Sequence, residues 1–298
     1  VLQSWHFAYL FHYSPILKSK IQEGNLLMNP LKIGACLMPH EIEDHRNWLF
    51  DSDRDIELQG FSLHKDLTTE FEDRISAARK ALAGFKGRLG IHGPYEGLDM
   101  DNKDCEVRPV VTNRYLKALQ AAERVGARQM VLHSPFNRWY AWNRLNKPNY
   151  WESKLDRIHD VMMPVVEAAE NIGIILVIEN ILDVDPSSRR AMVDSFDSDA
   201  IALSIDTGHA HLARRMSNAP PVDYFVRDAG DQLRHVHLQD LDGHADRHWA
   251  PGEGEIHWSE VFRALSECQS EPHLVLELRR KSEIPAGFAY LKGLGLVK

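Results

Sequence analysis

His237-Leu-Gln-Asp-Leu-Asp-Gly-His-Ala-Asp246-Arg-His248-Trp-Ala-Pro-Gly-Glu-Gly-Glu-Ile256 follows directly on the apolar run that begins at Leu233. A histidine therefore emerges where a short strand should end. Asp-Arg-His comes next, and a Gly-Glu-Gly turn closes the stretch. Packing gives no reason for so many metal-capable side chains in one polar loop. The stretch predicts a loop that completes a metal site whose other ligands stand at the ends of earlier and later strands.

Working outward, the same arrangement recurs along the chain. Short β-rich runs are expected at Leu31–Leu37, Asp55–Leu63, Arg88–Ile91, Gln129–Leu132, Ile174–Ile178, Ile201–Ile205, Leu233–Leu238 and His273–Leu276. Between them lie helical segments. Glu70–Phe85 places Phe71, Ile75, Ala78 and Leu82 on one face at helical spacing. Val107–Val125 and Glu152–Ile172 each stop at a glycine, Gly126 and Gly173, and Pro164 is positioned to kink the second. Further helices are expected at Ser187–Phe196, Val222–Ala229, Trp258–Cys268 and Ile284–Leu294. A long aromatic loop is expected around Trp139, Tyr140, Trp142 and Trp151.

Eight strands alternating with crossover-length helical segments imply a parallel sheet flanked by helices. Spread from residue 30 to 298, they fit a single-domain α/β fold, a closed (β/α)8 TIM barrel. An open doubly wound sheet is the competing architecture, but no G-x-G-x-x-G follows any strand. Val1 to Asn29 precedes this alternation and reads as an N-terminal extension of unclear status.

The totals narrow the function classes. A net charge of −8 gives no global attraction to nucleic acid or to an anionic membrane. Three widely spaced cysteines without a C-x-x-C pair argue against a disulfide framework or a thiolate zinc site, and make a reducing cytoplasm the default. No apolar run is long enough to span a bilayer.

In a barrel the C-terminal strand ends share one mouth, where chemistry is built. Six of these ends carry a potential ligand: His92, His133, Glu179, Asp206 with His209, His237 and Glu277. Asp246 and His248 are added by the loop after the seventh strand. Imidazole and carboxylate without thiolate suit zinc, manganese, iron or cobalt. Each residue also has a plain structural reading. Glu277 has Arg279 and Lys281 nearby for pairing, and Asp206-x-x-His209 reads as a turn or as a helix N-cap beside a surface histidine. Gly252-Glu-Gly254 permits a tight turn, and its backbone N–H groups are available to a phosphate. A packing explanation would have to recur independently at all six ends, so the metal site is preferred.

In this order, His92-Gly-Pro-Tyr95, Val-Leu-His133, Val-Ile-Glu179-Asn, Ser-Ile-Asp206-Thr-Gly-His209, Val-His237-Leu-Gln-Asp, Asp246-Arg-His248 with Gly-Glu-Gly-Glu-Ile, and Leu-Glu277 resemble the xylose isomerase-like TIM-barrel superfamily. That superfamily holds both sugar phosphate isomerases and epimerases and endonuclease IV. The isomerase branch implies one divalent ion (manganese, zinc, magnesium or cobalt) on Glu179, Asp206, His237 and Glu277. There the ion stabilises an enediolate, Glu179 and Glu277 act as base and acid, and His209 orients a sugar oxygen. Tyr95, His133, Trp139 and Arg247 are then read as substrate-binding.

The endonuclease branch implies up to three zinc ions, with His92, His133, His209, Asp246 and His248 as additional ligands and an abasic-site phosphodiester as substrate. All nine ligand positions match. The DNA-handling parts match less well: Glu96 stands where an apolar wedge would enter a duplex, and a carboxylate there repels phosphate. The sequence therefore favours a sugar or sugar phosphate as partner over nucleic acid. A homo-oligomer through the loop aromatics is also expected.

Overall fold

Strands of an all-parallel sheet are covered on both faces, so they read as near-continuous apolar runs. The computed structural model, which describes residues 30–298, forms eight of them. They are β1 (Gly34–Leu37), β2 (Ile56–Leu58), β3 (Leu89–His92), β4 (Gln129–His133), β5 (Ile175–Glu179), β6 (Ile201–Asp206), β7 (Leu233–Leu238) and β8 (His273–Leu276). Every neighbouring pair is parallel, and β1 also pairs with β8, closing the barrel. The expectation for Val1 to Asn29 lies outside the described residues.

The helices are α1 (Arg46–Phe50), α2 (Phe71–Ala81), α3 (Arg108–Val125), α4 (Arg138–Asn143), α5 (Tyr150–Ile172), α6 (Pro186–Asp194), α7 (Thr207–Ser217), α8 (Val222–Ala229), α9 (Trp258–Glu267) and α10 (Ile284–Gly293). Gly126 and Gly173 end α3 and α5 in left-handed conformations, as their positions in the sequence imply. Pro164 lies inside α5 without dividing it. Among the described residues no helix is long and apolar enough to cross a membrane.

Two segments differ from the sequence reading. The aromatic loop contains α4, started by Asn137, whose side chain accepts the Tyr140 N–H at 2.9 Å. Phe136, Tyr140 and Trp151 pack inward together, with the Phe136 ring 4.9 Å from Tyr140 and 5.9 Å from Trp151. Asp206-x-x-His209 is the first turn of α7 rather than an isolated turn. The Asp206 side chain caps that helix by accepting the His209 N–H at 2.6 Å. His209 is buried there, not a surface residue.

Strand register positions the site. His133 lies opposite Glu179, and Asp206 lies opposite His237. Side chains alternate along each strand, so residues two apart share a face. A small apolar group of Val131, Val177 and Ala202 is separate from the main core. One step further along the same phase stand His133, Glu179 and Ser204, and Ser204 Oγ lies 2.9 Å from His235 Nδ1. Small apolar layers thus end at the mouth in polar ones.

The seam beside β1 leaves no room for a side chain at its first residue. A Cβ on Gly34 would lie 1.6 Å from the Asp55 carbonyl oxygen. Asp55 is itself fixed, pairing with Arg88 at 2.7 Å and accepting the Leu274 N–H at 3.1 Å. Gly34→Ala is expected to cost roughly 3 kcal/mol, the upper end of an overpacking penalty. Urea unfolding measures this directly, and a change below roughly 0.5 kcal/mol would contradict the close packing described here.

Candidate metal centre

Four side chains from adjacent strand ends converge on one point. Glu179 ends β5, Asp206 ends β6, His237 lies one residue from the end of β7, and Glu277 follows β8. His237 Nδ1 is 3.1 Å from Glu179 Oε1, 3.4 Å from Glu277 Oε2 and 4.0 Å from Asp206 Oδ2. His237 and Asp206 are wholly buried, Glu179 is 1% exposed and Glu277 is 8% exposed. One ligand atom from each of the four falls within 4.8 Å of the others, a spacing that a single cation can bridge.

Two triads flank this set. His92 and His133 place their Nε2 atoms 3.8 and 3.6 Å from Glu179 Oε2. Asp246 lies between His209 and His248, its Oδ1 3.5 Å from one Nε2 and 3.1 Å from the other. Glu179 therefore faces the central set with Oε1 and the first triad with Oε2. That Oε2 is buried and accepts no hydrogen bond. A buried carboxylate oxygen without a donor is costly. A cation between Glu179, His92 and His133 would satisfy it, so the residues present fit a divalent metal bound by nitrogen and oxygen.

The loop after β7 is built to deliver Asp246 and His248. Asp240 is fully buried, and its carboxylate accepts N–H groups from Gly252 (2.9 Å), Ile256 (3.2 Å) and the Trp258 indole (3.0 Å). Two N–H groups of the Gly252-Glu-Gly254 turn are used within the loop, Gly252 N–H by Asp240 and Glu253 N–H by Ala250 O at 3.0 Å, so they are not free for a phosphate. Gly254 has no space for a Cβ, which would lie 2.4 Å from Asp240 Oδ1. His248 adopts a φ of +51°, rare outside glycine, and this aims its ring at Asp246 and at the Glu277 carbonyl.

The charge balance of the site is uneven. Burial works to raise Glu179, but the His237 charge and hydrogen bonds from His209 and His237 hold it well below the usual carboxylate range. Burial pushes Asp206 up to about 6. Burial would depress His237, yet Glu277 and Glu57 outweigh it and keep the ring well above its ordinary value. His209 is likewise raised, against burial, by Asp206 and Asp246. His248 reaches about 9 because its bond to Asp246 and the Glu277 charge overcome burial. His133 goes the other way, to about 4, through burial. In the metal-free protein, protons on His209, His237 and His248 supply the positive charge that the carboxylates require.

A cavity of about 420 Å³ opens above the set, lined in part by Tyr95, His133, Ile181 and Glu277. The Tyr95 ring stacks on His133 with centroids 4.4 Å apart. Trp139 and Arg247, expected to bind substrate, are not brought to this cavity. Arg247 is held by Asp242 at 3.0 Å and lies over the Trp249 ring, while Trp139 projects from α4 and is 63% exposed. Glu277 does not pair with Lys281. Gln59 donates to Glu277 at 3.3 Å and accepts from Lys281 at 3.4 Å.

Three residues close to the ligands are absent from the sequence reading: Glu57, Gln59 and Gln239. Gln239 donates to Asp206 at 3.1 Å and accepts the His248 N–H at 3.1 Å, joining β6 to the loop. The available signal for Glu57 is its place between Ile56 and Leu58, a carboxylate in the middle of an apolar strand.

The raised histidines set a pH dependence. His248 titrates near 9 in the folded chain and near 6.5 when unfolded, so its stabilising contribution is complete below pH 6.5 and lost as pH rises through 9. Over the same window a cation meets less competition from protons. Melting temperatures of the chelator-treated protein should fall from pH 6.5 to 9, and the stabilisation by added zinc should grow. A flat metal-free profile would contradict this charge balance.

Comparison with known proteins places the barrel. A fructoselysine 3-epimerase of Escherichia coli O157:H7 is 28% identical over 123 residues, covering 41% of this chain and 45% of that one. Three curated relatives, this one included, are matched over 45% to 61% of their own length. Among solved structures, a D-tagatose 3-epimerase-like protein superposes with a TM-score of 0.70 at 22% identity, covering 88% of this chain and 96% of that one. A Thermus thermophilus protein, TTHB071, soaked with ZnCl2, superposes with a TM-score of 0.67 at 25% identity, covering 89% and 98%. Residues 54–297 match the family described as xylose isomerase-like TIM barrel, and the chain belongs to that family.

Proposed function

We propose that this chain is a divalent-metal-dependent isomerase or epimerase of a sugar or sugar phosphate. The observation that carries the reading is the pairing of Glu179 and Glu277 across the His237-centred set, below a cavity of about 420 Å³. Similarity to a fructoselysine 3-epimerase supports the same reaction class.

Glu179, Asp206, His237 and Glu277 would hold the ion, which when bound supplies Lewis-acid polarisation of a carbonyl. The remaining work falls to side chains. Glu179 and Glu277 come from β5 and β8, with β6 and β7 between them, so their carboxylates reach a substrate from different sides. One removes the proton from the carbon beside the carbonyl, and the other returns a proton to the neighbouring position or opposite face. Glu179 is held ionised at neutral pH, as a base must be. His209, anchored to Asn180 O at 3.2 Å through Nδ1, lines the cavity with Nε2 3.5 Å from Asp246 Oδ1, and would orient a substrate hydroxyl there together with Asp246. Tyr95 and His133, stacked on each other, wall the cavity on one side.

A second reading has its own observation. The two outer triads, one sharing Glu179, would supply the further ligands of a trinuclear zinc phosphodiesterase acting at abasic sites. Against it, the exposed Glu96 follows Tyr95, a residue that lines the cavity, and a carboxylate there would repel a phosphate backbone.

Metal analysis joined to two activity assays separates the readings. The isomerase reading expects turnover with one ion in the central set, and deuterium uptake from solvent into a ketose. Three zinc ions per chain with incision of an abasic-site duplex would overturn it. On the isomerase reading Glu179→Gln and Glu277→Gln should each slow proton exchange by roughly 10²–10⁴-fold. Undiminished exchange in both variants would rule out the two-carboxylate mechanism.

A further inference from the structure

Glu57 takes no part in the chemistry above, yet it is a buried carboxylate of the barrel interior. It sits in β2 and is 1% exposed. A carboxylate so buried needs donors, and here they are the His237 imidazole and the Cys36 thiol, with the His235 ring beside them. Oε1 and Oε2 lie 3.1 and 3.2 Å from His237 Nε2. Oε2 is also 2.9 Å from His235 Nε2, and Cys36 Sγ donates to Oε1 at 3.4 Å. His235 is secured from its other side by Ser204. The His237 ring thus has Glu57 on Nε2 and the three carboxylates of the central set on Nδ1.

We infer that Glu57 is the positioning residue of the metal centre: it accepts the Nε2–H of His237 and so reserves Nδ1 as the donor aimed at Glu179, Asp206 and Glu277. The inference rests on the reading of those four residues as a cation site. A neutral imidazole carries one N–H, and whichever nitrogen bears it cannot bind a metal. A carboxylate held on Nε2 decides between the two tautomers and increases the electron-donating power of Nδ1. The ring has no freedom to exchange the two nitrogens, because His237 is wholly buried between strands. Cys36 and Glu57 also lie close enough to His237 and Glu277 to form a ligand group of their own. That arrangement would require Nε2 as the metal donor, the opposite tautomer.

Zinc affinity, measured by competition with a chelator, is compared for the wild-type chain, Glu57→Gln and Cys36→Ala. Glu57→Gln should weaken zinc binding roughly 10–100-fold, whereas Cys36→Ala, an equally buried change beside the same carboxylate, should stay within roughly threefold. Isotope-labelled histidine NMR of the zinc-loaded wild-type protein, with His237 assigned, should find the proton on Nε2. Unchanged affinity in Glu57→Gln, an equal loss in Cys36→Ala, or a proton on Nδ1 would each overturn the role. The NMR result decides the question even if Glu57→Gln does not fold. Failure of the wild-type chain to bind zinc would instead overturn the metal centre itself.

Discussion

Four carboxylates, those of Glu57, Glu179, Asp206 and Glu277, are buried around one imidazole at the C-terminal end of the barrel. Charges removed from water must be paired, hydrogen-bonded or bound to a cation. That requirement explains much of the local structure. Asp206 caps α7, Gln59 donates to Glu277, and Gln239 joins Asp206 to the His248 backbone. Even so, Glu179 Oε2 is left without a donor, and His209 and His237 are driven toward their charged forms. The site is arranged for more positive charge than its side chains carry when neutral.

The same constraint separates the central set from the triads. The central four are held almost entirely within the barrel, where geometry is fixed by strand register. Asp246 and His248 instead ride on a loop whose shape is set by Asp240, and Asp246 is half-exposed. A fold of this kind can vary the outer residues without disturbing the inner ones.

Much of this was legible in the chain. Apolar runs ending in His, Glu or Asp locate six candidate ligands at or beside strand ends, and eight apolar runs in all imply closure into a barrel. The local context of the site was less legible. Glu57 lies within a strand rather than at its end, and its inward direction follows from the register with Cys36, which needs the paired partner. Asp206-x-x-His209 has the spacing of both a turn and a helical first turn, and only the buried surroundings select the helix. Trp139 and Arg247 carry suitable chemistry, but local partners hold them elsewhere: Asp242 and Trp249 for Arg247, and the outer side of α4 for Trp139. Side-chain direction in loops depends on tertiary contacts that spacing does not encode.

The central claim is that the strand ends assemble a cation site around His237. Anomalous scattering from crystals soaked in manganese tests it most directly. A peak is expected between Glu179, Asp206, His237 and Glu277, within bonding distance of His237 Nδ1. Well-ordered side chains at those four positions with no peak among them would contradict the account.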